Sequence, residues 1–121
     1  MISNTVKYIG RHLILDLYGV HRSTLTSEEF LSEVLEDACK AAGATVLHNY
    51  FHKFGNGEGI TGVIVLAESH CSIHTWPEFE YASIDIYMCG SCNPKVAARH
   101  ILNDIYCSRF SENLMYRGTE I

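Results

Sequence analysis

A chain of 121 residues has room for one domain with one core, and its 47% hydrophobic content is that of an ordinary globular protein. Nine Lys and Arg stand against fourteen Asp and Glu, a net charge of −5, with no basic run able to neutralise a phosphate backbone, so nucleic acid is not an expected partner. No apolar stretch approaches the roughly 20 residues of a membrane-spanning helix, and the opening segment from Met1 to Arg11 is too polar for a signal peptide, which together predict a cytosolic (cytoplasmic) protein with no membrane partner.

Leu13, Leu15 and Leu17 alternate within residues 12–18, the period of a strand with one buried face. Thr26 followed by Glu29 reads as a capping box, after which Phe30, Leu31, Val34, Leu35 and Ala38 recur at helical spacing until Gly43 stops the helix. Residues 44–51 read as a second strand, and Gly55-Asn56-Gly57-Glu58-Gly59 as a turn. Residues 60–67 are apolar and largely β-branched, an interior strand aimed at Glu68-Ser69-His70. Further strands are expected at 71–76 and 82–88. Pro94 then opens an amphipathic helix through Val96, Ala97, His100, Ile101 and Ile105 to about Cys107, and residues 112–117 add an edge strand. Two rounds of strands with one helix each, without linker or repeat, predict a single α+β domain over 1–121. Its architecture is a two-layer α/β sandwich, an antiparallel sheet with two helices on one face.

Reactive side chains crowd one place. Glu68, Ser69, His70 and His74 follow the apolar strand, with Trp76 and Glu78 just beyond. At a period of two, His70, Ser72, His74 and Trp76 share one face and Ser69, Cys71, Ile73 and Thr75 the other, so Ser69 meets His74 only if the chain bends near Ser69. Serine beside histidine invites a hydrolase reading, but no G-x-S-x-G elbow surrounds Ser69. Residue by residue, the plain readings are a turn serine, a hydrogen-bonded histidine at 74, packed aromatics at Phe54 and Trp76, and a solvated charge at Glu78. The five cysteines, an odd number, are expected to be reduced. Cys89-Gly90-Ser91-Cys92 is a lone C-x-x-C without the second pair of a zinc site, so Cys92 reads as incidental, and Cys39, Cys71 and Cys107 read as buried small hydrophobes. His12, His21, His48, His52 and His100 show no metal-ligand spacing, and no metal is expected. A chain this short builds a deep pocket more easily between two copies than inside one, which favours a dimer.

The run from Ala67 to Glu78 as a whole resembles the processing segment of the small, pyruvoyl-dependent prokaryotic S-adenosylmethionine decarboxylases, in which E-S-H is followed by I-H-T-W-P-E. Gly10-Arg11-His12-Leu13, Gly43-Ala44-Thr45, Phe51-His52-Lys53-Phe54, Thr61-Gly62-Val63, Asp85 and Cys89-Gly90 fall in family order, and the resemblance fades after Asn93. It implies a proenzyme that cuts itself between Glu68 and Ser69 into a β chain, 1–68, and an α chain, 69–121, with Ser69 becoming a covalent pyruvoyl cofactor. By the same resemblance His74 is the base of processing, Thr61 its supporting hydroxyl where serine is common, and Cys89 the proton donor of the later reaction. Phe54 and Trp76 correspond to adenine contacts and Glu78 to the carboxylate on the ribose. The pyruvoyl ketone would form a Schiff base with the substrate α-amine and take up the electrons freed by loss of carbon dioxide. The implied reaction converts S-adenosylmethionine into the aminopropyl donor for spermidine synthesis, in an (αβ)2 homodimer with sites at its interface. Arginine or ornithine is the alternative substrate, since a carboxylate at Glu78 also suits a guanidinium or ammonium. A non-processed, non-catalytic homologue is the second alternative.

Overall fold

The computed structural model describes residues 7–121, so the first part of the Met1 to Arg11 segment, whose polarity speaks against a signal peptide, lies outside the described residues. In chain order the elements are β1 (Gly10–Tyr18), α1 (Arg22–Leu25), α2 (Glu28–Ala41), β2 (Val46–Lys53), β3 (Ile60–Leu66), β4 (Ser69–Trp76), β5 (Tyr81–Cys89), α3 (Pro94–Asp104) and β6 (Arg109–Arg117). The strands form one six-stranded sheet in the order β2-β3-β4-β5-β1-β6, and every neighbouring pair is antiparallel. This is the expected two-layer α+β arrangement. No helix among the described residues is long and apolar enough to cross a membrane.

Alternation decides what each face of the sheet does. Leu13, Leu15 and Leu17 of β1, Ile64 and Leu66 of β3, Cys71 and Ile73 of β4, and Ile84, Ile86 and Met88 of β5 are all buried on the helix side. They pack in one cluster with Leu31, Val34, Leu35 and Ala38 of α2 and with Ala97, Ala98 and Ile101 of α3. The residues between them, among them His12, Thr61, Val63, His70, Ser72, His74, Trp76 and Asp85, stand on the opposite face, which no helix covers. The nominated chemistry therefore sits on the open side of the sheet, supported from behind by the core.

Several boundaries differ from the sequence expectation, each for a local reason. Helix α2 is capped by Ser27, whose side chain accepts from the Phe30 N–H at 3.3 Å, and not by a box of Thr26 and Glu29. Thr26 instead donates to the Arg22 and Ser23 carbonyls, at 3.1 and 3.4 Å, closing the short helix α1 that the sequence pattern hides. Glu28 and Glu29 both fall in the first turn, where the helix dipole favours them. Gly43 ends α2 as expected, at a φ of +94° that lets the Ala44 N–H reach the Cys39 carbonyl. Strand β2 begins at Val46 rather than 44 and runs on to Lys53, with a register shift between Val46 and His48. Helix α3 stops at Asp104, short of Cys107, and the edge strand starts earlier, at Arg109. Cys39 and Cys71 are buried as expected, whereas Cys107 is only half-buried beyond the end of α3.

Packing requires the glycine at position 62. Gly62 faces Phe51 across the β2–β3 pair, and a side chain there would collide with the Phe51 ring. Gly62→Ala should destabilise the fold by about 1–3 kcal/mol, the usual penalty for overpacking. Urea unfolding should show a lower midpoint at an unchanged slope.

Candidate active site

At the β3–β4 connection the chain reverses in two residues, Ala67 and Glu68, between the paired Leu66 and Ser69. Glu68 has a φ of +62°, a left-handed conformation that costs a residue with a Cβ about 1–2 kcal/mol. The chain thus turns before Ser69, and from Ser69 onward β4 is an unbroken strand, without the bend that Ser69 would need to meet His74. The Cys89 thiol, at the end of β5, lies 3.2 Å from the Glu68 carbonyl oxygen and donates to it. The carbonyl of the Glu68–Ser69 peptide therefore carries a side-chain donor. Burial first, and then the neighbouring Cys89, hold the Tyr87 phenol above the usual tyrosine range.

The other end of β4 gathers the remaining nominated residues. Thr61 and His74 are partners across the β3–β4 ladder, with Thr61 Oγ1 3.1 Å from His74 Nδ1. Trp76 lies 6.1 Å from the His74 ring and 5.4 Å from Tyr81, centroid to centroid. Glu78 is presented by a single helical turn, Pro77–Phe79, anchored by buried Pro77. Phe54 closes the glycine turn, its N–H on the Gly59 carbonyl at 3.0 Å, while Arg22 donates to the Gly57 carbonyl at 2.8 Å. Phe54, Thr61, His74, Trp76 and Glu78 all line one cleft of about 260 Å³. Glu58 lines it too. Sequence reading passed over this carboxylate because it lies within the glycine turn.

Along an extended strand, the five steps from Ser69 to His74 span roughly 16 Å. Within one chain the nominated residues accordingly form two groups: Glu68, Ser69 and Cys89 at one end, and Phe54, Thr61, His74, Trp76 and Glu78 at the other. Ser69 and His74 are not brought together.

Between the two groups lies a third cluster, to which the sequence reading assigned no role. Asp85 Oδ1 is 3.0 Å from His70 Nε2 and 3.4 Å from His12 Nε2, and Asp85 Oδ2 accepts from the Ser72 hydroxyl at 3.0 Å. The donor atoms of His12, His70 and Asp85 lie within 4.8 Å of one another, close enough to suit a metal ion. The hydrogen pattern argues otherwise. Arg117 has only hydrogens to offer and meets His12 Nδ1 at 3.0 Å, so that nitrogen accepts and Nε2 carries the hydrogen it gives to Asp85. The imidazole nitrogen facing the centre is a donor, not a free lone pair.

Comparison with known proteins settles the family. The sequence profile described as S-adenosylmethionine decarboxylase matches residues 11–118. The chain belongs to this family. It is 45% identical over 114 residues to an S-adenosylmethionine decarboxylase proenzyme of Persephonella marina, spanning 93% of this chain and 85% of that one. Against the proenzyme of the same name from Methanococcus aeolicus it is 40% identical over 96% of this chain and 99% of the other. The fold is similar to the crystal structure of the adenosylmethionine decarboxylase from Aquifex aeolicus, with a TM-score of 0.84 and 36% identity over 93% of each chain.

Tyr81 buttresses the Trp76 side of the cleft and donates to Asp16 Oδ1 at 2.7 Å. Burial first, and this carboxylate second, push its phenol up to about 12. A raised phenol pKa adds stability fully present below the unfolded value of about 10 and lost as pH climbs through the folded one. Tyr81→Phe should be about 1 kcal/mol less stable than wild type at neutral pH. The gap should close between pH values of about 10 and 12 in denaturant titrations.

Proposed function

We propose that the chain is a proenzyme that cleaves itself between Glu68 and Ser69 and then, as a homodimer, decarboxylates S-adenosylmethionine. The observation that carries this reading is the division of the family's residues into two half-sites at opposite ends of β4, on a sheet face with no helix over it. A two-fold axis through the middle of that face sets the Ser69 half of one copy against the His74 half of the other, twice. Ile14, Val63, Val65 and Trp76 are all partly exposed on this face, between 36 and 41%, and supply apolar area for such a contact.

In the first step the Ser69 hydroxyl attacks the Glu68 carbonyl carbon, the peptide bond from that carbon to the Ser69 nitrogen breaks as the nitrogen takes up a proton, and an ester replaces the amide. The Cys89 thiol, already donating to that carbonyl oxygen, stabilises the negative charge that develops on it. The left-handed backbone at Glu68 raises the energy of the intact turn and is relieved by cleavage. His74 of the partner subunit then takes the Ser69 α-proton, the ester leaves as the Glu68 carboxylate, and hydrolysis of the resulting dehydroalanine releases ammonia and leaves a pyruvoyl group. Thr61, 3.1 Å from His74 Nδ1, orients that imidazole.

The pyruvoyl group supplies an electron sink for loss of carbon dioxide. Departure of Glu68 frees the Cys89 thiol from its carbonyl partner, leaving it as the proton source for the substrate α-carbon. Phe54 and Trp76 offer aromatic surface for an adenine, and Glu78 accepts from ribose hydroxyls. Glu58, a second carboxylate in the cleft, is the one feature that favours a guanidinium or ammonium substrate instead. Release of carbon dioxide from labelled S-adenosylmethionine, arginine and ornithine, compared side by side, decides between them; activity with the nucleoside alone is expected. The product would be the aminopropyl donor of spermidine synthesis.

Denaturing mass spectrometry should find two chains split after Glu68, the 69–121 chain lighter by the change of serine to pyruvoyl. Ser69→Ala and His74→Ala should each stay whole. Co-expressed, they should yield cleavage of the His74→Ala chain alone, because its Ser69 then meets an intact His74 on the partner. No cleavage in the mixed dimer would sink the shared-site reading, and a wild-type chain that stays whole would sink the processing itself.

A further inference from the structure

After cleavage before Ser69, the group that carries the chemistry would sit at a free chain end, attached to His70. A free end at a hairpin frays: it loses the turn that closed it and keeps only its ladder pairs, Leu66 with Ser69 and Val65 with His70 on one side and Tyr87 with His70 on the other. Precise reaction geometry needs more than that, since a displacement of about 1 Å can lower a rate about 100-fold.

We propose that Asp85 and His70 form a clamp that positions the pyruvoyl-bearing end of the α chain, an inference that rests on the cleavage reading above. His70 is the residue next to the new terminus, and its Nε2 donates to Asp85 Oδ1 at 3.0 Å. The His70 ring also stacks on Tyr87, 5.9 Å between centroids at 25°, so both its plane and its far nitrogen are held. Asp85 is itself braced. Ser72 fills its second oxygen, and His12, kept in the donating tautomer by Arg117, shares the first. Three strands, β4, β5 and β1, and the edge strand β6 through Arg117 thus converge on one carboxylate. Neither residue needs to touch substrate: both act through the backbone of residue 70, and they are positioning residues, distinct from Ser69, His74 and Cys89.

The hydrogen bond requires a donor at residue 70 and an acceptor at residue 85, which makes the inference separable from a general need for bulk. His70→Gln keeps an N–H donor, whereas His70→Ala and Asp85→Ala remove one partner each. Wild type and variants are compared for extent of cleavage by intact mass, for kcat and KM, and for hydrogen exchange of the amides of residues 70–72 in the cleaved protein. The clamp predicts near-complete cleavage in all of them. It also predicts kcat lowered about 10- to 100-fold in both alanine variants with KM within about threefold, and exchange of residues 70–72 faster by at least about tenfold while residues 73–75 are unchanged. His70→Gln should recover most of both losses. The Asp85→Ala/His70→Ala double variant should be no worse than either single one, as residues acting as a unit require. Unchanged kcat and exchange in cleaved alanine variants, additive losses in the double variant, or failure of glutamine to rescue overturns the clamp while leaving the cleavage reading intact. A wild-type chain that never cleaves overturns both.

Discussion

Strand β4 is hydrogen-bonded on both sides, to β3 and to β5, over most of its eight residues. A strand held in this way cannot bend without leaving backbone donors and acceptors unpaired, and it presents alternate side chains to opposite faces throughout. Its helix-facing set, Cys71, Ile73 and Thr75, is locked into the core, with Thr75 bridging the Ile60 N–H and the Leu25 carbonyl. The outward set, His70, Ser72, His74 and Trp76, is then held at fixed intervals, as on a ruler. Everything proposed about the site follows from that rigidity: the chemistry is spread along the strand, and a second copy supplies what one cannot fold back to reach.

The open face also shows how polar groups are kept in a sheet that is half apolar. Several polar residues there are paired across neighbouring strands: Thr61 with His74, Asp16 with Tyr81, and Asp85 with His12, His70 and Ser72. Among the described residues no buried side-chain nitrogen or oxygen lacks a partner. Where its polar groups are paired in this way the face tolerates being covered, because covering them strands few groups that water had been serving. That property suits an interface, and it sets the carboxylate of Asp85 as a hub holding four strands in mutual alignment.

Strain is concentrated where the bond is proposed to break. Glu68 is one of two non-glycine residues with positive φ among the described residues; the other, Glu80, ends the turn that carries Glu78. Two-residue hairpins favour glycine or asparagine at such a position, and a glutamate there is a local choice that works against folding economy. It is held because the ladders of β3, β4 and β5 determine the turn on both sides. The thiol of Cys89 meets the same peptide from the adjacent strand, so the turn is both strained and polarised.

Alternation and helical spacing in the amino-acid sequence determined the six strands, the two long helices and the two faces of β4, because those patterns are local and have fixed periods, whereas the four residues of α1 are too few to show one. The order of Glu68, Ser69, His74, Trp76 and Glu78 along one strand and its following turn was likewise legible. The cap of α2 was not: Thr26 and Ser27 are both good capping residues, and only the turn of α1 ahead of them decides between the two. Glu58 was hidden for a similar reason, since a glycine-rich turn looks the same whether or not its one carboxylate faces a cleft. Only the tertiary structure could decide which residues separated in sequence meet across the strand order, setting Cys89 on the Glu68 carbonyl, His12 and His70 on Asp85, and Phe54 into the cleft with Trp76. Register between strands depends on the packing of the whole core against two helices, a sum over many residues that no local period contains.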